Sequence, residues 1–306
     1  MLILLKSANN LYICCFWEMN IMSKFIIYTD SSCDLSEEYM SRMNVHFSSL
    51  SYTFDAGFKE SDTTMSSGQF YDMLRQGAIV KTSAVNSQEF YDRFDKILKN
   101  GLDILYLGVS SGLSTTYNSA CIAARALNSK YPERKIVNVD TLSVSAGLGL
   151  IVDYIYRIQT NGATIQDAAA LANEIKGKIC HIFTVDDLNY LKRGGRINAT
   201  SATVGSMLGI KPILHVTSNG RLTSIGKVRG RHAAILALSN KYETKCADKE
   251  EKIFIAHADC QNDAEELYHI LKEKNPTCNI GITDIGPIIG AHAGPGTLAL
   301  FFVGNR

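Results

Sequence analysis

The apolar run LDILYLGV, residues 102–109, leads directly into GVSSGLSTTYNSA, residues 108–120. A strand pattern therefore joins a helical pattern through a loop crowded with hydroxyl side chains. Near-continuous apolar character over a short run is the signature of a strand buried on both faces, as in a parallel sheet. The helix that follows presents unpaired N–H groups and a partial positive charge at its first turn, which suits an anion such as a carboxylate or phosphate. Gly108-Val109-Ser110-Ser111-Gly112 also spells the G-x-S-x-G elbow of serine hydrolases. The loop either holds an anion or carries a nucleophile.

The same alternation extends on both sides. KFIIYT (24–29), VHFSSLSY (45–52) and KIVNVD (135–140) read as further strands. SSGQFYDMLRQG, SQEFYDRFDKILKNG and TTYNSACIAARALNSK place apolar residues at helical spacing between them. This is an α/β pattern, in which ligands sit at the carboxyl ends of strands. The junctions DSSCDLS, GVSSGLS and DTLSVSAG are all rich in Ser and Thr. A helix from about Ser145 to Thr160 leads to Asn161-Gly162, the expected domain break, and then to the helical pattern ATIQDAAALANEIKGK.

The second half has a different rhythm. ICHIFTV, KPILHVT, RLTSIGKV, KIFIAHA, CNIGITDI and TLALFFV read as strands, and the Ser-Asn-Gly between KPILHVT and RLTSIGKV predicts an antiparallel hairpin. Helices are expected at RHAAILALSNKYETK and QNDAEELYHILKEK, giving an α+β second domain.

The whole chain excludes several classes. Its 306 residues carry 31 Lys and Arg against 30 Asp and Glu, so no global field favours nucleic acid or an anionic membrane. Eight cysteines without C-x-x-C spacing and seven histidines without an H-x-x-x-H pair offer no zinc or iron–sulfur signature. Reduced thiols in a cytoplasmic protein are expected. No Walker motif occurs, and Gly147-Leu148-Gly149 lacks the third glycine of a dinucleotide fingerprint, so no cofactor is expected. Residues 1–21 contain LILL and LYICCFW, interrupted at Lys6–Asn10, which leaves no run long enough to span a bilayer. They are expected to be a dispensable extension, with the folded chain starting at Met22.

Four constellations carry candidate chemistry. In the hydrolase reading Ser110 is the nucleophile, with Asp259, Asp284 and His292 downstream in an acceptable order. The neighbouring hydroxyls and the missing HGGG-type oxyanion segment speak against it. Lys81-Thr82-Ser83 offers either helix-capping hydroxyls or a binding pair. IGPIIGAHAGPGT, residues 285–297, frames His292 in a constrained loop of four glycines and two prolines. LNYLKRGGRI, residues 188–197, reads as a helix with a basic last turn and a glycine stop. Arg196 lies beyond that stop and before an expected helix at Asn198–Leu208, free to project as a fork toward a carboxylate or phosphate. Lys227, Arg229 and Arg231 add a further basic cluster.

In order and spacing, IIYTDSSCDLS, KTSAVN, GVSSGLSTTYNSA, VDTLSVSAGLGLIV, YLKRGGRI, GKVRGRHAAI, IAHADC and GPIIGAHAGPGT resemble the DegV family, fatty-acid-binding proteins that serve bacterial fatty acid kinases. The resemblance runs from about Phe25 to the C-terminus. It implies an N-terminal α/β domain with a parallel sheet over residues 22–160 and a C-terminal α/β domain with a mostly antiparallel sheet over 161–306. One long-chain fatty acid would lie in a tunnel at or near their interface. By the family pattern its carboxylate is held by Thr82 and Ser111, with Ser110 next, and flanked by Arg196 and His292. The resemblance also implies a carrier rather than an enzyme, which presents the carboxylate to a separate kinase that makes an acyl phosphate for phospholipid metabolism. Two departures stand out. Thr115 occupies the glycine position of the family's LSGT, which is expected to narrow the head-group pocket, and KTSAVN lacks the proline common two residues after the Ser.

Overall fold

The computed structural model describes residues 25–55, 65–197 and 209–306. The expectations for residues 1–21 and for a helix at 198–208 lie outside the described residues.

A four-stranded parallel sheet holds β1 (Phe25–Asp30), β2 (His46–Ser48), β5 (Asp103–Gly108) and β6 (Ile136–Asp140) in the order β2-β1-β5-β6. All six residues of β1 are buried, as its unbroken apolar run requires of a strand covered on both faces. Alternate residues serve the two faces. Ile26, Tyr28, Ile104 and Tyr106 pack with Phe90 and Phe94 of α3 (Ser87–Lys99) and Ala120 of α4 (Thr116–Lys130). Phe25, Ile27, Leu105 and Leu107 join the core of α5 (Ala146–Thr160) and α6 (Ile165–Ile175). The helix α6, which follows the Asn161-Gly162 turn, packs back on α5, β5 and β6.

A second sheet of six strands has the order β11-β10-β12-β7-β8-β9. Its members are β7 (Ile179–Thr184), β8 (Ile210–Val216), β9 (Leu222–Arg229), β10 (Ile253–His257), β11 (Ile280–Asp284) and β12 (Leu298–Val303). Only β10 and β11 pair in parallel; the other pairings are antiparallel, including the expected β8–β9 hairpin. One face is covered by α8 (Arg231–Lys245) and α9 (Gln261–Lys274). The opposite face shares its core with α5, whose first seven residues are all buried. A helix apolar all round belongs between layers, and α5 lies between the two sheets. Among the described residues, no helix is long and apolar enough to cross a membrane.

The structure corrects three local readings. VHFSSLSY is not one strand: after β2 the chain leaves the sheet, with Leu50 N–H donating to Ser31 Oγ, and starts β3 (Ser51–Phe54). β3 pairs antiparallel with β4 (Val80–Ser83), so Thr82 sits on a strand rather than at a helix cap. The cap of α3 is Asn86, whose side chain accepts the N–H of Glu89 at 2.9 Å. Residues 285–297 are not simply a loop, because they contain α10 (Pro287–Ala293). Proline in the first turn and Gly294 at φ 80 after the last explain why proline and glycine bracket this helix instead of breaking it.

Candidate functional site

The carboxyl ends of β1, β5 and β6 face the second sheet and α10 across a cavity of about 420 Å³. That volume falls within the roughly 300–1,000 Å³ of small-molecule sites. Asp30, at the end of β1, organises the near wall. Its buried carboxylate accepts the hydroxyl of Tyr106 at 2.9 Å, the N–H of Val109 at 3.0 Å and both the N–H and hydroxyl of Ser32. These bonds fix where the loop after β5 begins. Asp140, at the end of β6, accepts the N–H of Ser111 at 3.2 Å and of Leu142 at 3.1 Å.

The hydroxyls of this loop divide into three uses. Ser110 is fully buried; its Oγ donates to Gly220 O at 2.8 Å and accepts from Gly112 N–H at 3.2 Å. It thus ties the loop to the β8–β9 turn and is not part of the cavity lining. Ser114 Oγ accepts the N–H of Thr116, which opens α4. Ser111 and Thr115 line the cavity, and the Ser111 hydroxyl has no protein partner among the described residues. The hydrolase arrangement is not assembled, since Ser110 meets a carbonyl and an amide while His292 is bonded elsewhere.

His292 Nε2 lies 2.7 Å from Thr82 Oγ1. Its Nδ1 is buried without a partner, against Gly194, where any Cβ would run into the ring. An unpaired buried N–H is disfavoured more than an unpaired lone pair, so we assign the proton to Nε2. Nε2–H then donates to Thr82 Oγ1, which leaves the Thr82 proton free for an acceptor in the cavity. Burial, with Arg196 nearby, lowers the imidazole pKa to about 4, so the ring is neutral near pH 7.

Arg196 follows α7 (Asn189–Arg193), which has the expected basic last turn and glycine stop. It lines the cavity but is not a free fork: Nε donates to Leu113 O at 3.1 Å and Nη1 to Gly194 O at 2.6 Å. Burial depresses its pKa, yet a guanidinium remains cationic. The structure therefore brings Thr82, Ser111, Arg196 and His292 around one cavity and leaves Ser110 behind it.

Strand register gives the cavity a direction. α7 and α10 attach where β7 ends and β12 begins, and Phe183 pairs there with Ala299. Two residues deeper, His181 pairs with Phe301. All four line the cavity. A Cβ at Gly147 of α5 would run into both His181 and Phe301, so the helix backbone closes the floor. Thr82, Ser111, Arg196 and His292 thus lie toward the α7–α10 end, while Phe183, Phe301 and aliphatic side chains line the deeper wall together with His181 and Ser145. Asp30, Asp140 and His181 were not singled out from sequence. A carboxylate at a strand end beside a Ser-rich loop was the available signal for the first two; an inward-facing histidine in an apolar strand gives none.

A model of the DegV family, described as "Uncharacterised protein, DegV family", matches residues 24–305. A DegV domain-containing protein of Clostridium perfringens is 42% identical over 287 residues, covering 93% of this chain and 99% of that protein. Two solved Thermotoga maritima structures are similar. One, a DegV lipid binding protein, is 30% identical with a TM-score of 0.79, over 90% of this chain and 97% of its own. The other, described as revealing a fatty acid binding function, is 29% identical with a TM-score of 0.80, over 92% and 99%.

Proposed function

The chain belongs to the DegV family, and from that premise we propose that it binds one long-chain fatty acid in the cavity between its two sheets. The observation that carries this reading is a largely apolar cavity, lined by Leu50, Phe183, Ile285 and Phe301 among others, with Ser111 and the Thr82–His292 pair in its wall. Burying the tail contributes about 0.8 kcal/mol per methylene, on the order of 10 kcal/mol for a chain of roughly 16 carbons before ordering costs. The head group then needs only enough hydrogen bonding to offset desolvation, and Thr82 Oγ1–H and Ser111 Oγ–H supply two donors. Protein purified from a bacterial host is expected to carry fatty acid detectable by native mass spectrometry and lipid extraction. Empty protein that takes up none on incubation would overturn the reading.

The chain acts as a cytoplasmic carrier, not an enzyme, and presents the carboxylate to a separate ATP-dependent kinase. Neutral hydroxyl donors leave the carboxylate oxygen nucleophilic toward a γ-phosphorus placed by that partner. Attack forms the acyl phosphate and breaks the bond to the β–γ bridging oxygen, releasing ADP. Arg196, held by the Leu113 and Gly194 carbonyls beside the head group, is suited to the charge that develops there. Arg196→Ala is expected to lower the rate of acyl phosphate formation by at least about tenfold. Bound fatty acid, measured separately, should fall much less. A wild-type phosphorylation rate in that variant would remove Arg196 from the step.

A further inference from the structure

Asp34 joins three elements that surround the cavity. It closes the helical turn Ser31–Cys33 with φ 49, and it is buried. Its carboxyl group accepts the N–H of Gly286 at 3.0 Å, immediately before α10, and the hydroxyl of Ser145, immediately before α5. Its main-chain carbonyl accepts the Thr283 hydroxyl of β11 at 2.7 Å. Ser145 lines the cavity and has φ 56, a strained backbone for a residue with a Cβ. It is held there by the Asp34 carboxyl group and by its own N–H bond to Ser32 O at 2.8 Å. Such strain persists only where the surroundings enforce it, and it gathers at ligand sites. The opposite end of α10 carries His292, bonded to Thr82. Six helical residues at about 1.5 Å each put roughly 9 Å between Gly286 and His292 along the axis.

The electrostatic setting of Asp34 is one-sided. Its hydrogen-bond donors are neutral, and the charges that act on it are those of Asp284 on β11 and Asp30 on β1. Asp284 is itself 3.4 Å from His257 Nε2 of β10. Cys33 on the same turn and Tyr71 of α2 (Ser67–Arg75) also face it, and burial pushes both upward, so they stay neutral. His292 on α10 is neutral as well. Burial outweighs the bonds from Ser145 and Gly286 and brings the Asp34 carboxyl up to about 7. A ligand carboxylate beside Thr82 and His292, taken to be on the order of 10 Å from Asp34 at an effective dielectric near 20, raises such a pKa by about one further unit.

We propose that Asp34 is the positioning residue of the head-group site: its carboxyl group holds α10, and with it His292 and Thr82, and takes up a solvent proton when an anionic ligand enters. The inference rests on the fatty-acid reading above. At pH 6 and below the carboxyl is largely protonated and binding is little opposed. Above pH 8 the ligand must enter against an ionised Asp34 or wait for it to protonate, so affinity declines. A free aliphatic carboxylic acid titrates in the ordinary carboxylate range near 4, and His292 is likewise below the window, so neither supplies this dependence.

The test is calorimetric binding of hexadecanoate and of uncharged hexadecanol at pH 6 and pH 9. Hexadecanoate should bind the native chain about tenfold more weakly at pH 9, with proton uptake on binding between those limits, while hexadecanol affinity stays flat. In Asp34→Asn the side-chain amide can accept from Gly286 and donate to Ser145 but cannot ionise, so the hexadecanoate affinity should lose its pH dependence. Asp34→Ala removes both contacts. It should weaken binding at both pH values and change the ring-nitrogen resonances of His292. Hexadecanoate affinity that is flat with pH in the native chain, or an unchanged slope in Asp34→Asn, overturns the inference alone. Native protein that binds neither probe overturns the fatty-acid reading and this inference with it.

Discussion

Thr82→Val together with Ser111→Ala is expected to weaken binding of a long-chain carboxylate by at least about a hundredfold. A hydrogen bond to a charged group contributes about 1.5–3 kcal/mol, and two such bonds convert to a factor between roughly 10² and 10⁴ in Kd. The two single changes should differ. Ser111 is exposed at the mouth of the cavity and its hydroxyl serves no protein group, so Ser111→Ala removes one ligand bond and little else. Thr82 also receives the His292 Nε2 proton, and the other nitrogen of that ring is already buried without a partner. Thr82→Val therefore strands the whole imidazole and should be the more damaging change. Valine keeps the shape and the strand preference of threonine, so β3–β4 pairing is retained. The measurement is displacement of a fluorescent fatty acid, with the matching alcohol as a neutral control that should lose much less. A loss under about threefold in the double variant would sink the assignment of these hydroxyls.

Most of the fold was legible because its strands are short apolar runs and its helices repeat apolar residues at three- and four-residue spacing. α8 and α9 begin and end where the spacing of RHAAILALSNKYETK and QNDAEELYHILKEK puts them. What escaped was set by tertiary contacts. Val80–Ser83 holds only one core-facing side chain, Val80, so no periodicity marks it as a strand; β3, across the ladder, makes it one. The split of residues 45–52 depends on Ser31, distant in sequence, capturing the Leu50 amide. The site shows the same division. Ser111, Thr82, Arg196 and His292, which the structure brings to one cavity, stood out locally as clustered hydroxyls, a fork past a helix stop and a glycine-framed imidazole, but the family resemblance selected them. Which of two adjacent serines lines the cavity was not decided by local sequence, because that depends on Gly220, 110 residues away from Ser110. The same holds for Arg196, whose guanidinium is claimed by a carbonyl of the serine loop.

That distant contact sets the second large effect. Gly220→Ala should cost about 3 kcal/mol of stability, lowering the melting temperature by roughly 5 °C, and should disturb ligand binding although Gly220 does not line this cavity. Gly220 has φ 70, a conformation that disfavours an L-residue by roughly 1–2 kcal/mol. A Cβ there would also run into Ser110 Oγ, at a further cost of about 1–3 kcal/mol. The turn cannot back away. Arg306 donates to the carbonyls of Val216 and Thr217 on the hairpin, at 3.2 and 2.9 Å, and to Leu142 O and Lys176 O on the facing elements. The strain must therefore pass to the serine loop, where Gly112 already lies against the Asn219 and Gly220 carbonyls. Ser110→Ala alone removes two hydrogen bonds and destabilises by about 1–2 kcal/mol. Added to Gly220→Ala it also removes the overlap, so the double variant should be more stable than the sum of the singles by at least about 1 kcal/mol. Strictly additive losses would mean that the hairpin turn and the head-group loop are not coupled through Ser110. The coupling measured by the cycle is the structural role of the G-x-S-x-G serine, a clasp between the sheets beside which its neighbour, Ser111, lines the cavity.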